Sequence, residues 1–215
     1  MVFQSIIHPK RKSGRILALS VCCFLFSLAC SAQTNSQKAR EIFDRTYEMV
    51  YGAQGCQLHY DVNILKLYHA NGTIWYKGRK QRFYEANSRS WSDGTTYYIV
   101  DTKKKTVNIY ATNDESRDKY SSKFKFSPDD YDYSYEDTAE GYVISLKPKP
   151  GLKGFKEARA VIDKQTRAPK SVRIKVAFLW ARIEISQFKS GGIGDDIFVF
   201  PQALYKDYLV TDHRK

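Results

Sequence analysis

The chain predicts a mainly β fold with flanking helices: a strongly curved antiparallel sheet forming a half-open β-barrel, covered by an N-terminal helix and a middle helical/loop insertion. Three observations predict it. About ten short runs rich in Tyr, Ile, Val and Phe are separated by Gly, Pro, Asn and Asp breaks, in the range of a barrel or sandwich. In Thr73 to Tyr110, large apolar residues occupy both phases of the period-two pattern: Trp75 beside Tyr76, Phe83 beside Tyr84, then Tyr97 to Val100. A sheet with one dry face would alternate strictly, so this stretch suits a curved sheet that packs on one side and stays apolar on the other. An amphipathic helical pattern precedes the strands.

In chain order, Lys10, Arg11, Lys12 and Arg15 precede an apolar run from Ile16 to Ala29 and the small residues Cys30-Ser31-Ala32. This is the pattern of a secretory signal peptide over 1–32, followed by a single domain over 33–215. The run is shorter than the ~20 residues a spanning helix needs. Cleavage after Ala32 is the expectation; lipid attachment at Cys30, through the partial lipobox Ser27-Leu28-Ala29-Cys30, is the alternative. Export removes four basic residues and no acidic ones, so a formal charge of +12 becomes +8. It also leaves Cys56 alone, without an internal disulfide partner and read as a small buried hydrophobe.

Ser36 to Gly52 carries Ala39, Ile42, Phe43, Tyr47 and Val50 at helical spacing, with Ser36 as N-cap and Gly52 as stop. Leu58, Tyr60, Val62 and Ile64 alternate as a half-buried strand, Asn71-Gly72 is read as a turn, and Asp93-Gly94 as a tight hairpin turn. From Thr112 to Gly141 a polar loop is expected, with a short helix starting at Ser127-Pro128-Asp129-Asp130. Strand patterns resume at Tyr142 to Leu146, Phe155 to Ile162, Val172 to Phe178, Trp180 to Phe188 and Ile197 to Phe200. The Gly191 to Gly194 cluster lacks the Lys and Ser or Thr of a phosphate loop.

No local catalytic signature is present: no GxSxG, no HExxH, no paired cysteines. The chain is therefore not read as an enzyme. His59, His69 and His213 have no ligand-spaced partners, and the acidic alternation Asp130 to Glu136 lacks the glycine of a calcium loop, so neither metal nor cofactor is assigned. Twelve Phe, sixteen Tyr and three Trp can instead line an apolar pocket. An acyl chain of about sixteen carbons gains on the order of 12 kcal/mol on burial, at ~0.8 kcal/mol per methylene.

The order of Trp75-Tyr76-Lys77, Phe83-Tyr84 and Ser92-Asp93-Gly94, the late run Ile197-Phe198-Val199-Phe200-Pro201 and the closing Asp212-His213-Arg214 resemble the LolA-like carriers of outer-membrane lipoproteins. The resemblance runs over most of 36–214. It implies a periplasmic carrier that takes acylated lipoproteins from an inner-membrane lipoprotein-releasing ABC transporter, shields their chains and hands them to an outer-membrane acceptor. It implies a cavity and lid built from Ile42, Phe43, Tyr47, Trp75, Phe83, Tyr98, Val100, Ile109, Phe178 and Trp180. Arg79 is the match to the family's lid latch, against the plainer reading of one more basic loop residue. The alternative function is a sensor of lipids or lipoproteins that regulates envelope stress. An exported basic protein is expected to be monomeric, to meet anionic head groups in transient membrane-surface contact and to bind no nucleic acid.

Overall fold

The computed structural model describes residues 33–64, 68–114, 116, 127–152, 155–176 and 178–214. The expected signal peptide lies outside these residues, as does most of the expected polar insertion before Ser127. Helix α1 (Asn35–Tyr51) comes first. The strands are β1 (Cys56–Ile64), β2 (Tyr68–Lys77), β3 (Lys80–Tyr84), β4 (Ser88–Ser92), β5 (Thr96–Asp101), β6 (Thr106–Ala111), β7 (Tyr131–Asp137), β8 (Tyr142–Pro148), β9 (Glu157–Ile162), β10 (Pro169–Val176), β11 (Leu179–Ser190) and β12 (Leu209–Asp212). They form one sheet in the order β12-β6-β5-β4-β3-β2-β1-β11-β10-β9-β8-β7. Every neighbouring pair is antiparallel except β12 on β6.

Seven consecutive strands of that order, from β3 through β1 to β8, contribute side chains to a single cavity. At ~4.8 Å per strand a flat sheet would spread those seven over roughly 29 Å, so the sheet must curl around the cavity. This is the half-open barrel expected from the sequence. Helix α1 crosses the concave side. Its buried stripe of Ala39, Ile42, Thr46 and Val50 follows the 3.6-residue period. Ala39 and Ile42 pack on Tyr133, Ile144 and Leu146 of β7 and β8, and Val50 packs on Cys56, Leu58 and Ile74 of β1 and β2.

Three expectations are corrected. Asn71-Gly72 does not turn the chain but lies inside β2, paired with Asp61 and Tyr60. A Cβ at Gly72 would stand 2.6 Å from the Tyr84 carbonyl oxygen and 3.1 Å from the Tyr60 hydroxyl, so the glycine serves close approach within the sheet. Tyr131 to Asp137 is a strand rather than loop: Tyr131 and Tyr133 are buried while Asp132 and Ser134 face solvent, a period of two. The short helix before it is one 3-10 turn, Pro128–Asp130. Ile197 to Phe200 is no strand either; two 3-10 turns, Asp195–Phe198 and Gln202–Tyr205, occupy this region.

The open edge at β7 is guarded by a side chain. Asn35 donates from Nδ2 to the Tyr135 carbonyl and accepts the Tyr135 N–H at Oδ1, both at 2.9 Å, standing in for a further strand where an edge would otherwise invite pairing.

An apolar cavity beneath the N-terminal helix

The cavity between α1 and the concave sheet has a volume of about 490 Å³. Its floor follows from register. Leu58, Tyr60 and Val62 share one phase of β1; Ile74 lies opposite Leu58, Phe83 opposite Ile74, Ile185 opposite Tyr60 and Ile183 opposite Val62. Val172 and Ile174 of β10 continue this face, and the small Ala158 and Ala160 of β9 leave the volume open. The roof is α1, from which Phe43, Thr46, Tyr47, Val50 and Tyr51 face the space. A row of rings joins roof to floor, with centroids 5.9 Å apart for Phe43 and Tyr47, 4.8 Å for Tyr47 and Tyr51, and 4.8 Å for Tyr51 and Tyr76.

Key polar atoms in this lining already have partners. The Thr46 hydroxyl lies 2.9 Å from the Arg167 carbonyl and 3.2 Å from that of Ile42. The Tyr60 hydroxyl donates to the Glu85 carboxylate. Burial raises the pKa of Tyr60, and the hydrogen bond to Glu85 raises it further. The hydroxyls of Tyr51 and Tyr76 bond to each other, and burial pushes both up. What remains facing the space is carbon, a surface water wets poorly.

The roof is tied down by polar contacts at its outer edge. Arg40 pairs with Asp44 at 2.7 Å and reaches across to Asp129 at 2.8 Å, with its guanidinium 5.3 Å from the Tyr133 ring. Arg79, the residue matched to a latch, lies exposed in the turn between β2 and β3 and makes no ion pair among the described residues.

Of the other sequence-derived site residues, Phe43, Tyr47 and Phe83 line the cavity, and Ile42 packs beside it, 4% exposed, against the core of β7 to β9. Trp75, Tyr98, Val100 and Ile109 do not line it. They occupy the opposite phase of their strands and point to the reverse face, where Tyr98 stacks on Phe200 at 4.3 Å and Tyr98, Val100 and Ile109 join one core with Tyr205. Phe178 stands 83% exposed just before β11, and Trp180 faces outward, with Arg159, Arg173 and Lys175 between 5.1 and 5.7 Å from its ring. The floor residues Leu58, Tyr60, Val62, Ile74, Ile183 and Ile185 were absent from the expected site. Carrying the alternation of β1 across to its neighbours by register would have found them.

No family model matches the chain, and no curated protein matches it. Solved structures of similar fold do exist. An uncharacterized conserved protein from Thermus thermophilus is 15% identical with a TM-score of 0.56, the match covering 82% of this chain and 100% of that one. A putative outer membrane lipoprotein-sorting protein domain from Vibrio parahaemolyticus is 12% identical over 80% of this chain and 100% of that one, with a TM-score of 0.42. A LolA superfamily protein from Nitrosomonas europaea is 8% identical over 75% of this chain and 97% of that one, with a TM-score of 0.38. At 15% identity the likeness to the Thermus protein extends to the fold alone.

Proposed function

We propose that this chain binds lipid acyl groups in the bacterial envelope, sheltering a hydrocarbon in the cavity beneath α1 and carrying acylated lipoproteins from an inner-membrane ABC transporter to an outer-membrane acceptor. The observation that carries the reading is the cavity's lining of carbon, whose nearby hydroxyls are paired with the protein itself. Such a space rewards a hydrocarbon and nothing polar. If a methylene takes about the ~30 Å³ share of a water molecule, 490 Å³ accommodates roughly sixteen of them, or about one acyl chain.

Release matters as much as capture. The Arg40 to Asp129 contact is exposed on the acid's side, so it is a weak tie that a binding partner or a membrane surface can compete away. Exposed Phe178 beside the cation-flanked Trp180 suits transient contact with anionic lipid. The test is to purify the full chain from its native envelope and identify bound molecules by mass spectrometry. Acylated peptides are the expected finding; phospholipid alone would move the reading to lipid transport or sensing, and an empty cavity would count against both.

A further inference from the structure

A second recess, of about 580 Å³, opens on the reverse face of the sheet. Its floor is a single cross-strand row: Gln57 of β1 lies opposite Trp75 of β2, Trp75 opposite Arg82 of β3, and Arg82 opposite Trp91 of β4. The Arg82 guanidinium carbon is 5.0 Å from the Trp75 ring and 5.4 Å from the Trp91 ring. A guanidinium flanked by two indoles is held in place, and stacking leaves its in-plane N–H fork available. Yet Arg82 makes no ion pair among the described residues, and its Nε–H is buried without a hydrogen-bond partner. Its cationic neighbours are served differently, since Lys77 and Lys80 share Asp195 at 2.9 and 3.1 Å. The wall includes Ile193, Ile197, Val199 and Leu204, of which Val199 is 66% and Leu204 72% exposed.

We propose that this recess binds the free C-terminus of a partner polypeptide ending in an apolar residue. The terminal carboxylate meets the Arg82 fork, the last side chain covers the Val199 and Leu204 wall, and Asp196, which also lines the recess, accepts an N–H of the incoming backbone. The single guanidinium pairs with a single negative charge, and the Asp196 carboxylate in the same lining disfavours a phosphate dianion. A chain terminus brings carboxylate and apolar side chain within one residue of each other, as the recess does. A fatty acid has a better place in the carbon-lined cavity on the other face. Because the sheet separates the two sites, this inference stands or falls apart from the acyl-binding function.

The structure supplies its own reporter, since two of the chain's three tryptophans flank Arg82. In the full chain carrying Trp180→Phe, fluorescence is titrated with an N-acetylated tripeptide ending in valine and with its C-terminal amide. The free acid is expected to give a saturable change at least about tenfold tighter than the amide, with Arg82→Gln losing the same factor and Arg82→Lys retaining part of it. Leu204→Asp, at an exposed position, should also weaken the acid and leaves the core untouched. Equal response to acid and amide, no saturable response, or binding indifferent to Arg82→Gln in a variant that keeps its circular dichroism would overturn the proposal.

Discussion

The strands from Thr73 to Tyr110 are apolar on both faces, and beyond the recess over Trp75 and Arg82 the two faces meet opposite fates. On the reverse side, Trp91, Tyr98, Val100, Val107 and Ile109 are covered by the chain's own C-terminal segment, whose Phe200 and Tyr205 lie 5.5 and 5.8 Å from Trp91. On the concave side, Ile74, Tyr76 and Phe83 face a helix that spans the gap without filling it. An apolar strand face announces only that something will cover it.

Substitutions on the two faces should therefore behave in opposite ways. The largest effect is expected for Tyr98→Ala, which removes a ring stacked on Phe200: about 3 kcal/mol or more of stability lost in denaturant unfolding, with acyl binding retained. Ala160→Phe places a ring in the cavity, and should weaken acyl binding about 100-fold while the melting temperature holds or rises. The same loss of stability for both would erase the contrast between a filled face and an open one.

A pH scan sharpens it further. Burial raises the Cys56 thiol to about 11, from an ordinary value of 9.0. Below the unfolded value both states hold the proton and the thiol's environment favours folding. As pH rises the unfolded chain ionises first, so stability falls from the ordinary value upward and continues to fall through the folded value. At pH 10 the loss from this group is on the order of 1 kcal/mol. Cys56→Ala should flatten that part of the curve, and the native thiol should resist iodoacetamide at pH 8. The smallest effect belongs to the roof. Arg40→Met, which frees Asp129, should speed release of a bound acyl probe by about fivefold in stopped-flow displacement, whereas Arg79→Leu should leave it unchanged.

Much of this architecture was legible in the residues. The helix of Asn35 to Tyr51 and the strands at Leu58, Ile144, Val172 and Ile183 follow plain periodicities, and the curved sheet followed from two-faced aromatic runs. The cavity was harder. Adjacent pairs such as Trp75 and Tyr76 do not reveal which member faces inward, because parity acquires a direction only once cross-strand register ties Ile74 to Leu58. The reverse cover was hidden because Ile197 to Phe200 has strand composition, while the packing of Phe200 on Tyr98 is a long-range contact that no local pattern encodes. Arg40 reads in the sequence as one charge on a helix surface, since its partner Asp129 lies 89 residues away.

The most direct test of the central claim is calorimetric titration of the full chain with a sixteen-carbon acyl probe at several temperatures. One equivalent should bind with a negative heat-capacity change, the mark of apolar surface leaving water, and Ala160→Phe should abolish it. Absence of saturable binding, or binding that survives with the cavity filled, would contradict the account.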